Sequence, residues 1–141
     1  MIVVDTNVIS YFYLTSEYSD LAEQLFLKTS SWAAPLLWRS EFRNVLSFYV
    51  RKEIISFQDA VQLFETAVNL LQENEYEINT SQVLKLSQKS GCSAYDCEFV
   101  NLAQDLGVSL VTMDKKILQN FQGTAVSMQE YIKKDGSIQL S

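Results

Sequence analysis

The sequence predicts an α/β fold with a parallel sheet, because short apolar runs alternate with segments of helical periodicity. The first apolar run, residues 1–5, is crowded with β-branched side chains, as buried strands are. A similar run at 109–113 follows Gly107, a residue suited to the end of a helix. Ligands of such sheets bind beyond the carboxyl ends of the strands, so the residues after these two runs are the first candidates for a site.

The first half of the chain predicts strands and helices in alternation. They are a strand at 1–5, helices at 7–14 and 17–29, a strand at 32–37 that ends near Pro35, and a helix at 40–51. The helix at 17–29 is amphipathic, with its apolar residues on one stripe. Glu41 is expected in the first turn of the last of these helices.

The second half continues the alternation. A long helix begins after Ser56, whose side chain is suited to the N-cap position. The remaining elements are an extended segment near 76–78, helices at 80–90 and 93–106, a strand at 109–113, a short helix at 115–120 and a last strand at 124–127. We therefore expect one domain over residues 1–133 and a polar tail over 134–141.

The composition excludes several kinds of chemistry. The chain has no histidine, which removes Ser-His-Asp and Cys-His catalysis and the usual zinc sites. Cys92 and Cys97 form neither a CxxC pair nor a disulfide framework, so we expect reduced, packed thiols. Neither a membrane-length apolar run nor a signal peptide is recognisable, so we expect a cytoplasmic protein. The net charge of −6 argues against a broad basic face for nucleic acid, although the local field at a site matters more.

Four acidic residues stand where one edge of the sheet would bring them together. Asp5 and Asp114 follow the two apolar runs, and Glu41 and Asp96 are expected at the starts of helices. Clustered carboxylates repel one another unless a cation lies among them, so the pattern predicts a divalent metal and metal-assisted hydrolysis of a phosphodiester. Each acid also has a structural alternative: Asp5, Asp96 and Asp114 could cap helices, and Glu41 could be a first-turn acid favoured by the helix dipole.

Polar residues beside these acids are candidates for supporting roles. Thr6, Asn7 and Thr112 could hydrogen-bond the carboxylates and fix their orientation, or they could serve turns and caps. Lys115 and Lys116 could meet a phosphate at the rim, or they could be solvated surface.

Four segments of the chain resemble the acidic motifs of PIN domains. They are residues 2–8 with Asp5, 40–46 with Glu41, 93–103 with Asp96 and 107–118 with Asp114. The resemblance runs from Met1 to about Ile132, and the size of the chain looks most like that of VapC-type toxins, the ribonuclease halves of toxin–antitoxin pairs. Cys97 departs from the alanine more usual in the family, and Glu98 is an additional acid that we expect to be peripheral.

The resemblance implies a three-layer α/β/α fold with a central parallel sheet in the order 3-2-1-4-5. It implies Mg²⁺ or Mn²⁺ held by Asp5, Asp96, Asp114 and Glu41, and endonucleolytic cleavage of RNA. A cognate antitoxin and a homodimer are the other expected partners, and an exposed part of the aromatic content would suit an antitoxin helix. The alternatives are a non-catalytic PIN-like RNA-binding or scaffold module and a solitary PIN nuclease of RNA processing.

Overall fold

In a computed structural model, which describes residues 1–134, five strands form one sheet in the order β3-β2-β1-β4-β5. The strands are β1 (Ile2–Val4), β2 (Trp32–Pro35), β3 (Glu75–Tyr76), β4 (Leu110–Val111) and β5 (Ala125–Val126). The helices are α1 (Thr6–Tyr13), α2 (Ser19–Lys28), α3 (Leu37–Arg51), α4 (Phe57–Leu71), α5 (Thr80–Ser90), α6 (Ala94–Leu106), α7 (Lys115–Asn120) and α8 (Met128–Lys133). The predicted polar tail, apart from Lys134, lies outside the described residues.

Every strand pair in the sheet is parallel, and the predicted strand order is confirmed. The central strand β1 pairs with β2 on one side, where Ile2 faces Trp32, and with β4 on the other, where Val4 faces Val111. The residues of β1 are almost completely buried, as expected when helices cover both faces of a parallel sheet. The predicted three-layer α/β/α architecture is likewise confirmed.

The two helical layers differ in composition. Helices α1, α2, α3, α4 and α8 contact one another, and an aromatic cluster that includes Phe12, Trp32, Trp38 and Phe42 fills their core. Helices α5 and α6 pack together, and α6 lies against β1, β2 and β4. Cys92 and Cys97 are buried and free, as the sequence predicted. Most aromatic side chains within the described residues belong to the core or pack against it.

Most helix boundaries follow the predicted signals. The hydroxyl of Ser56 accepts a hydrogen bond from the backbone N–H of Asp59 at 3.0 Å and caps α4. Gly91 and Gly107 follow α5 and α6 with φ of 73° and 68°, a conformation that glycine adopts without a steric cost. None of the helices within residues 1–134 combines the length and apolarity that a bilayer crossing requires.

Two helices differ from the prediction. Helix α3 begins at Leu37, three residues before the predicted start, because the chain turns into helical backbone directly after Pro35 without a side-chain cap. The prediction that Glu41 lies in the first turn is therefore wrong, and the dipole alternative for this residue weakens with it. Helix α8 was not predicted, although Ser127 and Glu130 have the spacing of a capping box and the Ser127 hydroxyl accepts the Glu130 backbone N–H at 3.2 Å.

Candidate active site

An open pocket of about 660 Å³ lies at the carboxyl edge of the sheet, and the four predicted acids all line it. Asp5 follows β1 and Asp114 follows β4, which are neighbouring strands at the point where the strand order reverses. Glu41 reaches the pocket from α3 and Asp96 from the first turn of α6. Its lining within the described residues contains four acidic side chains and no basic one. The structure thus brings together acids from four separate segments of the sequence.

Asp5 is the most buried of these acids, with 8% of its surface exposed. Its Oδ1 accepts the backbone N–H of Thr6 at 2.8 Å, and its Oδ2 accepts the hydroxyl of Thr112 at 2.7 Å. Burial raises the pKa of Asp5 to about 6, and the charges of Glu41 and Asp96 add to the rise, while the hydrogen bonds from Thr112 and Thr6 oppose it. Holding this carboxylate charged at neutral pH therefore costs the folded protein free energy.

Glu41 is connected to Asp5 through a single residue. Its Oε1 accepts the hydroxyl of Thr6 at 2.7 Å, and the backbone N–H of the same threonine binds Asp5. Burial raises the pKa of Glu41, and the charge of Asp96 raises it further, against the effect of the Thr6 hydrogen bond. Thr6 therefore fixes the relative position of two acids.

Asp96 and Asp114 form the opposite side of the pocket. Burial and then the charge of Asp114 raise the pKa of Asp96, whereas hydrogen bonding to Ser93 and the charge of Lys116 lower it. Asp114 caps α7 by accepting the backbone N–H of Ile117 at 3.0 Å. Capping and lining the pocket are thus not exclusive, since Asp5 likewise caps α1. The structural alternative is realised for both residues without removing them from the site.

Thr112 and Asn7 connect β1 with the turn after β4. The hydroxyl of Thr112, which is fully buried, donates to Asp5 and accepts the backbone N–H of Asp114 at 3.0 Å. Asn7 accepts the backbone N–H of Met113 at 3.3 Å, and its amide lies 3.4 Å from Asp5 Oδ2. All three residues predicted to support the acids therefore contact the acidic network.

The four acids share a pocket but do not form a preformed metal site. Among residues 1–134, no three acidic or cysteine side chains already have an arrangement that would hold a metal ion. One oxygen each of Glu41 and Asp114, and both of Asp5, already accept hydrogen bonds. The donor set nevertheless suits a hard divalent cation, because it offers carboxylate oxygens that interact unfavourably with one another and have no basic neighbour in the lining. Binding an ion to three of these carboxylates would require their side chains to move.

Three basic side chains from nearby parts of the chain already have contacts within the protein. Arg39 is paired with Glu75 in a two-bond ion pair, and the guanidinium of Arg43 lies 4.8 Å from the centre of the Phe64 ring. Neither arginine lines the pocket. Lys116 donates to the carbonyl of Gly91 at 2.9 Å, so its ammonium is directed to the chain itself.

The structure adds residues that sequence reasoning missed. Asn44 and Val45 line the pocket, and their spacing of three and four from Glu41 on one helix could have identified them. Tyr95, next to Asp96, also lines it. Glu98, expected to be peripheral, lies outside the lining, but its pKa is raised by burial and by the charge of Glu41. Its distance from the acids is therefore smaller than its position in the sequence suggested.

Comparisons with known proteins agree on one family. The chain is 25% identical over 123 residues to Ribonuclease VapC3 of Pyrobaculum aerophilum, an alignment that covers 85% of this chain and 94% of that protein. Its fold is similar to that of PAE2754 from Pyrobaculum aerophilum, with a TM-score of 0.74, 19% identity and coverage of 94% of each chain. It is also similar to a chain of a toxin–antitoxin complex from Klebsiella pneumoniae, with a TM-score of 0.66, 16% identity and coverage of 91% and 98%.

The family assignment rests on the sequence match itself. The PIN domain profile matches residues 2–122, which include all four acids of the pocket and all three residues that support them. The chain belongs to the PIN domain family.

Proposed function

We propose that this protein is a divalent-metal-dependent endoribonuclease of the VapC type and the toxin of a type II toxin–antitoxin pair. The observation that carries the proposal is the pocket itself, where four acids from separate segments meet and none of the described lining residues is basic. Such a site repels a phosphodiester unless a cation neutralises it, so the arrangement is useful mainly for metal-assisted chemistry. The similarity to a protein named as a VapC ribonuclease supports RNA as the substrate.

The residues have distinct tasks in this proposal. Mg²⁺ or Mn²⁺, when bound, would supply activation of water and stabilisation of the charge that develops on the phosphate. Asp5, Asp96, Asp114 and Glu41 would hold the ion. Thr112 donates a hydrogen bond to Asp5, and Thr6 donates one to Glu41, so these two threonines orient the two carboxylates.

The two alternative functions, a non-catalytic module and a solitary nuclease, have less support. A scaffold or RNA-binding module has no need of four acids whose mutual repulsion and burial raise the pKa of three of them, Asp5, Glu41 and Asp96. A solitary nuclease of RNA processing would share the pocket but not require a partner. The structural similarity to a chain of the toxin–antitoxin complex from Klebsiella pneumoniae supports the toxin.

A groove between α3 and α4 suits the antitoxin. It has a volume of about 430 Å³ and is mainly apolar, with Leu46, Val50, Phe57, Val61 and Phe64 among its lining residues. Phe57 is 71% exposed, which is unusual for a phenylalanine without a partner. Arg43, Arg51 and Glu65 stand in the same lining, so an amphipathic antitoxin helix with acidic residues facing the two arginines would complement it.

The proposal is tested by cleavage of cellular RNA by the purified protein with Mg²⁺ or Mn²⁺. We expect products with 5′-phosphate ends from the wild type, none after chelation, and none from Asp96→Asn. Asp105→Asn is the matched control, because Asp105 lies on the same helix, is exposed and does not line the pocket. Equal cleavage by wild type and Asp96→Asn would refute the assignment of the site.

A further inference from the structure

Tyr95 is a large, exposed ring on the wall of the acidic pocket. It is the second residue of α6, directly before Asp96, and 62% of its surface is exposed. It lines the pocket together with the four acids. Tyr95 belongs to none of the ring pairs formed by the described residues. The core therefore does not account for this tyrosine.

The position of Tyr95 differs from that of the other exposed rings. Within residues 1–134, the exposed aromatic side chains are Phe48, Phe57 and Tyr95. Phe57 lines the groove between α3 and α4, and Phe48 packs against Tyr49 on α3. Of these three side chains, only Tyr95 lines the acidic pocket, so we expect its partner to bind at the pocket.

The charge of the pocket makes a second source of binding necessary. No basic side chain lines it among the described residues, and the net charge of the chain is −6. Bound cations would neutralise a phosphate locally, but they would not hold the neighbouring nucleotides. Proteins that bind single strands gain such affinity by stacking bases on exposed aromatic rings, because every base has a π-face.

We infer that Tyr95 stacks against an unpaired base next to the scissile phosphate. Tyr95 and Asp96 are consecutive, so a base on the ring and a phosphate at the acids would belong to the same or adjacent nucleotides. A base within a duplex is covered by its neighbours and cannot offer a face to the ring. This inference rests on the proposed function and makes Tyr95 a residue that positions the substrate.

The test uses a hairpin RNA with an unpaired loop and a fully paired duplex of the same stem. Binding is measured in protein that keeps all four acids, with Ca²⁺ in place of Mg²⁺ to limit cleavage, and a 2-aminopurine in the loop reports stacking by its fluorescence. We expect Tyr95→Ala to weaken hairpin binding about tenfold or more and to abolish the quenching of 2-aminopurine. Tyr95→Phe and Tyr95→Trp should retain both, since each keeps an aromatic face. Leu84→Ala, which removes an exposed apolar side chain from α5, should leave binding unchanged.

Abasic substitutions separate stacking from a general loss of structure. Replacing the stacked nucleotide of the loop by an abasic residue should weaken wild-type binding and have little further effect in Tyr95→Ala. In the active protein, Tyr95→Ala should raise KM more than it lowers kcat. A merely structural role of the ring would not make the effect depend on one nucleotide.

Several outcomes would overturn the inference. One is unchanged hairpin binding by Tyr95→Ala, and another is equal cleavage of the duplex and the hairpin by the wild type. A change in sedimentation mass of Tyr95→Ala without any change in RNA binding would show that the ring contacts a protein instead. If the wild type neither binds nor cleaves RNA, the proposed function is refuted together with the inference. If the wild type is active and Tyr95→Ala binds and cleaves RNA equally well, only the inference about Tyr95 is refuted.

Discussion

Helix α3 has two faces that serve opposite kinds of surface. One face carries Glu41 and Asn44 into the acidic pocket. The other carries Leu46 and Val50 into the apolar groove that α4 completes. The pocket is polar, charged and built from four separate segments, whereas the groove is apolar and formed by two neighbouring helices. The difference teaches that the proposed catalytic surface and the proposed antitoxin surface can be altered independently on a single helix.

The largest expected effect is loss of activity when the pocket loses Asp5. Asp5→Asn keeps the shape of the side chain but removes the charge that would hold a cation, so RNA cleavage should fall on the order of a hundredfold or more. Antitoxin binding should be unchanged, since the groove does not include this residue. Cleavage rates and antitoxin affinity of the same preparation check both statements. Loss of both together would show that the two faces are not independent.

The next effect is on stability and concerns the metal-free protein. The pKa of Asp5 is about 6 in the folded state and 3.8 in the reference state, so the folded state binds more protons between these values. Stability should therefore fall as the pH rises from about 4 to about 6, by up to about 3 kcal/mol from this residue.

Urea denaturation across this pH range measures the effect. Asp5→Asn should show a flatter profile and, above pH about 6, a stability equal to or greater than that of the wild type. Glu75, whose pKa is lowered by Arg39, acts in the opposite direction and is common to both proteins. An equally steep profile in Asp5→Asn would contradict the assigned cause.

A smaller effect is expected from the groove. Phe57→Glu places a charge where the apolar face of an antitoxin helix would pack, which should weaken the complex by about 2 kcal/mol or more. Calorimetric titration of the protein with the proposed antitoxin measures the loss. RNA cleavage by the free variant should equal that of wild type, and Leu27→Glu on α2, which is also exposed but lies outside the groove, is the control. Reduced cleavage would mean that the groove and the pocket are coupled.

The smallest effect should come from the hydrogen bond between Thr6 and Glu41. Thr6→Val keeps the size of the side chain but removes the hydroxyl that orients Glu41, so cleavage should fall about tenfold. Thr6→Ser restores a hydroxyl and should recover most of the rate. Steady-state kinetics of the three proteins decide the matter, and an unchanged rate in Thr6→Val would show that Glu41 needs no such support.

The sequence predicted the pocket better than the groove. Asp5 and Asp114 were expected at one edge because Asp5 directly follows β1 and Asp114 is the third residue after β4, and adjacent parallel strands end at the same edge. The strand order came from the resemblance to PIN domains, since periodicity alone does not determine which strands are neighbours. The groove was not located, because its shape depends on how two helices pack.

The errors in the prediction have local physical causes. The start of α3 was missed because no capping side chain marks it. The chain turns into the helix at Leu36, whose backbone N–H donates to the carbonyl of Tyr76. The exposure of Tyr95 was also beyond the sequence, because a tyrosine in the first turn of a helix faces either the core or solvent. The arrangement of the carboxylates depends on rotamers and hydrogen bonds to Thr6 and Thr112, which no sequence pattern specifies.

The central claim is that the four carboxylates bind a divalent cation in the folded protein, and the thermal response to Mn²⁺ tests it most directly. Millimolar-range Mn²⁺ should raise the Tm of the wild type and of Asp105→Asn, because binding to the folded state stabilises it. The rise should be weakened in Asp5→Asn and in Asp96→Asn. An unchanged Tm of the wild type, or an equal rise in all four proteins, would contradict the account.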